Sequence, residues 1–187
     1  MHILQTILDL WRAHPVAQTI GFLGMLLGWA SFHGRTPRTI LRLQSGGSLF
    51  WTIHFILLAA PAGAFLNFLS IFRNEIYARR PTRRWAASMA WPIGFAAVCL
   101  GASAVTAATK EGPISLLSGA AQALACFSLL STRPQRIRLL SIPVSLLWLL
   151  YDALSGSIPG TFCECVNQIS IYIALFRGCS QARKRVS

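Results

Sequence analysis

The chain has 187 residues, 54% of them hydrophobic and only 12% charged, with a mean hydropathy of +0.54. That balance excludes both an ordinary soluble domain and a disordered chain. Seventeen Lys and Arg against five Asp and Glu give a net charge of +12. The basic residues lie between apolar runs and no nucleic-acid motif accompanies them, so no nucleic-acid partner is expected.

The five cysteines are odd in number and mostly sit inside apolar runs, where Cys behaves as a small hydrophobe, so no disulfide framework is implied. Cys163-Glu164-Cys165 lacks a His or a second Cys pair, and neither a metal nor another cofactor is expected. No Ser/His/Asp set or metal-ligand spacing stands out, which argues against an enzyme.

In chain order, residues 1–15 hold a short apolar stretch that carries Asp9 and lacks a small-residue cleavage site. It reads as an interfacial lead-in with Trp11 and Arg12 at the water boundary. The first span is 16–33, with Gly24-x-x-x-Gly28 for close helix packing. Arg35, Arg38 and Arg42 form a basic loop. Residues 43–72 would make a helix about 45 Å long, too long for one untilted crossing. Pro61-Ala62-Gly63 in its middle predicts a hairpin whose second arm continues towards Tyr77, with Arg73 snorkelling to the headgroups.

Arg73, Arg79, Arg80, Arg83 and Arg84 make the second basic cluster. A small-residue span from 85 to about 108 follows, with a kink expected at Pro92. After the polar turn Lys110-Glu111-Gly112-Pro113 come spans at 114–131, 139–154 and 161–176. Arg133, Arg136 and Arg138 form a third basic loop, and the tail carries Arg177, Arg183, Lys184 and Arg185. Seven spans with the N-terminus outside place every Lys and Arg except Arg12 and Lys110 on one side, the asymmetry a cytoplasmic face requires. That face, with its basic tail, would meet anionic lipids.

Sliding the chain by 97 residues lays 21–58 on 118–155 and matches Pro37 with Pro134 and Trp51 with Trp148. Beyond the turn the alignment moves to an offset of 100, a three-residue insertion, which matches Asn67, Ser70 and Ile71 with Asn167, Ser170 and Ile171. The plan is an all-α membrane protein of seven helices: two parallel three-helix bundles joined by a linker helix. Residues 16–78 are the first bundle, 79–110 the basic loop and linker, 111–177 the second bundle and 178–187 the cytoplasmic tail. Parallel repeats place a solute site at their interface.

Within each copy, Trp51-x-x-His54 and Asn67-x-x-Ser70, or Trp148-x-x-Tyr151 and Asn167-x-x-Ser170, share a helix face. An Asn amide donates and accepts, and an indole face is a polarisable wall, so together they suit a small neutral polar solute. The alternative is that the Asn side chains only bond helices together and the Trp rings only pack. The repetition of the Asn–Ser face favours a solute path. His54 would bind solute, take up a proton, or bond a backbone carbonyl as a neutral ring. Glu164, a carboxylate within a span, is the candidate for proton coupling. Asp152, at a span end, reads as interfacial.

The 3+1+3 plan with Trp148, Tyr151 and Asn167 resembles the SWEET and PQ-loop transporters, and Thr132-Arg133-Pro134-Gln135 is similar to the Pro-Gln dipeptide of the second group. The first copy, with His54-Phe55, Gly63-Ala64, Asn67 and Arg73-Asn74, looks closer to the YgjV-type bacterial inner-membrane proteins. The resemblance implies an inner-membrane carrier of a sugar-like solute working by alternating access, with Asn67 and Asn167 contacting the solute and Trp148 stacking on it. SWEET proteins carry prolines inside four helices as hinges, whereas here Pro143 alone sits in such a helix, which weighs against the same rocking motion. The competing expectation is a scaffold or sensor on the same fold, and a homo-oligomer is compatible with either.

Overall fold

The computed structural model describes residues 2–31, 37–130 and 134–184. Arg35, Thr132, Arg133 and Arg185 lie outside the described residues, as do the side chains of Pro37, Pro134, Gln135, Arg177, Arg183 and Lys184. Among the described residues the fold is all-helical: α1 (His2–Ala13), α2 (Pro15–Ser31), α3 (Pro37–Leu57), α4 (Pro61–Arg79), α5 (Arg84–Ala87), α6 (Ala90–Thr109), α7 (Ser115–Ser128), α8 (Pro134–Leu154) and α9 (Ile158–Lys184). A 3-10 turn, Gly112–Ile114, leads into α7.

Proline sets four of the nine starts among the described residues. Pro15, Pro37, Pro61 and Pro134 each occupy the first helical position, where the missing N–H has no intrahelical partner to lose. Pro92 obeys the same rule in the first turn of α6, so it does not kink a span. The chain breaks earlier, between α5 and α6, where Ser88 is extended. Pro143 is the proline inside a helix. Arg38 and Arg42 lie in the first turns of α3, and Arg136 and Arg138 in those of α8, instead of in loops.

The long apolar run is indeed two helices. Ala59 takes a left-handed φ of 55°, and the Ala60 N–H bonds back to the Phe55 carbonyl at 2.9 Å, ending α3. Gly156, with φ of 74°, ends α8 in the same way, and the Ser157 N–H bonds the Asp152 carbonyl at 2.9 Å. The bounds of α2 and α3 and the start of α4 recur 97 residues later: 15–31 as the 3-10 turn with α7 at 112–128, 37–57 as 134–154, and 61 as 158. The offset stays at 97 past the turn, so the expected three-residue insertion is absent. Glu164, not Asn167, holds the place of Asn67. Three residues are about 4.5 Å of rise and about 60° of rotation, so the slip carries a side chain nearly one turn along the helix.

The helices pack in sequence as α2–α3–α4 and as α7–α8–α9. Contacts of α4 with α7 and of α9 with α2 close the six into a ring, and α6 lies outside it against α7 and α4. Gly24 and Gly47 let α2 and α3 touch, because a Cβ on Gly47 would stand 3.2 Å from the Gly24 carbonyl oxygen.

The ring is polar within and apolar without. Gln18, Thr52, His54, Ser70, Arg73, Asn74, Gln122 and Asp152 are buried, while Leu26, Ile56, Phe72, Val105, Leu150 and Ile169 are exposed. A surface of that kind is matched to lipid, not water. Ala90–Thr109 and Arg136–Leu154 are long and apolar enough to cross a bilayer by length and composition.

Candidate solute cavity

A cavity of about 220 Å³ occupies the interior, walled by both halves. From the first half, Trp51 and Phe55 of α3 reach it together with Asn67, Ser70, Arg73 and Asn74 of α4. The α4 residues fall three or four apart, which makes them one stripe down one face. From the second half come Gln122 of α7, Trp148 and Asp152 of α8, and Glu164 of α9.

Local bonds hold this lining. The Asn67 amide donates to the Gly63 carbonyl at 2.9 Å, and the Ser70 hydroxyl to the Leu66 carbonyl at 2.9 Å. Gln122 donates across the halves to Ser70. Arg73 donates from Nε and Nη2 to the Asn74 side-chain oxygen at 3.3 and 3.1 Å, and its Nη1 has no partner. Arg73 is only 7% exposed, so it does not snorkel to the headgroups: it stands one turn beyond Ser70 and lines the cavity. Asp152 is not interfacial either. It is 4% exposed, lines the cavity, and leaves Oδ1 without a partner. Glu164 accepts from Ser145 and from the Asn167 amide at 3.4 Å.

One end of the cavity is shut by reciprocal bonds between the halves. His54 Nδ1 donates to the Ala17 carbonyl at 2.7 Å, which leaves Nε2 to accept from the Ser157 hydroxyl at 2.8 Å, just before α9. The His54 ring is therefore a neutral strut between helices, the plainest of its expected roles. Tyr151, its equivalent at the offset of 97, accepts from the Gly63 N–H at 2.8 Å at the start of α4 and donates to Glu111 at 3.3 Å. Each reaches the start of the other half's third helix. Between them Phe55 stacks on Trp148 at 6.3 Å and packs on Tyr151 at 5.7 Å, forming an aromatic layer over the cavity.

Glycine makes this closure fit. A Cβ on Gly21 would meet Pro159 Cγ at 2.5 Å and His54 Nδ1 at 2.7 Å. The Glu111 carboxylate also caps α4, accepting the Ala62 N–H at 3.0 Å. Burial pushes the Glu111 carboxyl above its ordinary range, and the bonds from Ala62 and Tyr151 partly oppose that.

Of the residues singled out from sequence, Trp51, Trp148, Asn67, Ser70 and Glu164 meet in the cavity. Asn167 and Ser170 do not: with Trp29, Ser145 and Glu164 they line a neighbouring space of about 750 Å³ beside α8 and α9. His54 and Tyr151 are wholly buried in the closing layer. Sequence reasoning missed Phe55, Arg73, Asn74, Gln122 and Asp152. Holding the offset at 97 would have found Asp152 opposite Phe55, and helical phase would have found Arg73.

A family model described as a bacterial inner membrane protein, Imp-YgjV, matches residues 15–182. The chain belongs to this family. The match takes in nearly everything from α2 to α9, and the inner membrane is the setting that the ring's apolar exterior requires. No curated protein and no solved structure matches the chain.

Proposed function

We propose that this Imp-YgjV family protein is a carrier that moves a small polar solute across the bacterial inner membrane by alternating access. The observation that carries the reading is a polar cavity at the interface of two equivalent halves, shut at one end by bonds that each half gives to the other. The six ring helices and α6 would be the seven spans, in the 3+1+3 plan of the SWEET-like carriers. Their basic ends would face the cytoplasm, with the N-terminus outside.

In that orientation the closing layer lies on the outer side. Rotation of one half against the other would break the His54–Ser157 and Tyr151–Gly63 bonds and open the outer end. Such bonds are individually weak enough to exchange, each contributing on the order of 1 kcal/mol net. Glu164, shared by the cavity and the space beside it, is the group placed to take up a proton during that exchange.

The test is uptake of a panel of radiolabelled solutes into proteoliposomes, comparing the parent with the double substitution Asn67→Ala/Glu164→Ala. Uptake by the parent, lost in the double variant while thermal unfolding is unchanged, supports a carrier. Failure of the parent to move any solute, with a protein partner co-purifying, would favour a scaffold or sensor instead.

A further inference from the structure

The charges in the cavity are separated by half. Arg73, from the first half, and Asp152 and Glu164, from the second, line the same space. Arg73 forms no ion pair: among the described residues the ion pairs are Arg12–Asp9 and Arg79–Glu75. Its Nη1 is buried without a partner, as is Asp152 Oδ1. Its neighbours are the Asn74 amide and the Cys126 thiol, a weak acceptor. A buried charge without a counter-charge is costly, most of all at membrane depth.

The charges are also separated along the bundle. The starts of α4 and α9 are tied at the same, closed end by the His54 and Tyr151 bonds. At the rise of an α-helix, Arg73 lies about 9 Å further from that end than Glu164. It lies about 15 Å further than Gly160, where a Cβ would stand 2.5 Å from the Asp152 carboxyl carbon. The cavity is acidic under its closed end and basic away from it. Trp51 and Trp148 line it as well, and indole faces attract a cation.

Building on the carrier reading, we infer that the solute is a zwitterion with its cationic and anionic groups at opposite ends. The cationic end lies among Asp152, Glu164 and the two indoles, and the anionic end meets Arg73 and Asn74. A neutral sugar would offer no counter-charge to the Arg73 guanidinium, and a solute of single charge would leave either that guanidinium or the Asp152–Glu164 carboxyl pair without one. The neutral solute expected from sequence followed from the Asn amides and the indole faces, with Arg73 and Asp152 left out of the site.

The experiment uses the full-length protein in lipid nanodiscs, with binding measured by calorimetry, and in proteoliposomes, with exchange measured by counterflow. The probes are glycine, 6-aminohexanoate, hexylamine, hexanoate, 1,6-hexanediol and glucose. A zwitterion should bind roughly tenfold or more tightly than either singly charged analogue. Arg73→Gln should shift the preference to hexylamine, Asp152→Asn with Glu164→Gln should shift it to hexanoate, and Arg73→Lys should keep the zwitterion. If a variant fails to fold, the ranking of probes by the parent decides alone. Binding and exchange of glucose or hexanediol in preference to both zwitterions would overturn the zwitterion and leave the carrier standing. Exchange of no probe at all would overturn both.

Discussion

The two halves of the ring share a frame to the residue and differ where they face the cavity. The bounds of α2 and α3, the start of α4, the left-handed residue after α3 and α8, and the Trp pair all recur 97 positions apart. Phe55 is answered by Asp152, Asn67 by Glu164, and Arg73 by Ser170. Backbone geometry at the helix junctions is thus held in common, while the lining chemistry has separated into a neutral-to-basic wall and an acidic one. The lesson is that the frame supplies symmetry for movement and its side chains supply polarity for recognition.

The strongest way to break the shared frame is to add a methyl group where helices touch. Gly63→Ala would place a Cβ 2.8 Å from Phe55 and Tyr151, and its counterpart Gly160→Ala one 2.5 Å from Asp152 and Ser157. Each should cost about 2 kcal/mol, measured by thermal unfolding in detergent. Gly28→Ala, with nothing within 4 Å, should be close to neutral. Equal tolerance at all three sites would show that the halves do not pack this way.

Next in size come the reciprocal struts. Tyr151→Phe leaves the buried Gly63 N–H without its acceptor, and His54→Phe leaves the buried Ser157 hydroxyl without its acceptor and removes the side-chain bond to the Ala17 carbonyl. Each should lose about 1–2 kcal/mol. Similar losses would support equivalence of the two struts, and a loss at one alone would break it.

A smaller effect separates the junctions. Ala59 holds a left-handed φ that its counterpart Gly156 adopts without strain. Ala59→Gly should therefore stabilise the protein, and Gly156→Ala destabilise it, by roughly 1 kcal/mol each in opposite directions.

The smallest effect is a pH dependence that only one half carries. The Glu111 carboxyl is raised by burial, so folding favours its protonated form. Stability from this group is present at low pH and falls as pH rises from its ordinary value through the raised one. Glu111→Gln should flatten that part of a melting profile. A profile unchanged by the substitution would show that the carboxyl is not raised.

Much of the frame was legible in sequence because apolar runs and prolines are local signals. The hairpin within residues 43–72, the Trp pair and the offset of 97 could all be read there, although the turn falls at 58–60 and Pro61-Ala62-Gly63 opens the second arm. The cavity was harder, since matching identical residues across the turn pulled Asn67 onto Asn167, nearly one helical turn beyond its structural counterpart Glu164. Arg73 was hidden by its neighbours in sequence: it stands near the Arg79–Arg84 cluster but follows Ser70 by one helical turn and lines the cavity with it. Asp152 was hidden because its counterpart Phe55 has different chemistry. Pro92 misled because a proline near a span's start opens a helix as readily as it bends one.

The central claim is that Asn67 and Glu164 face one solute in one space. It is tested most directly by single cysteines at positions 67, 164 and 167, introduced after the native cysteines are replaced and labelled with a small thiol reagent in proteoliposomes. With 6-aminohexanoate present, labelling at 67 and 164 should slow together, with the same concentration dependence, while labelling at 167 is little changed. Protection of 67 with 167, and not with 164, would contradict the account.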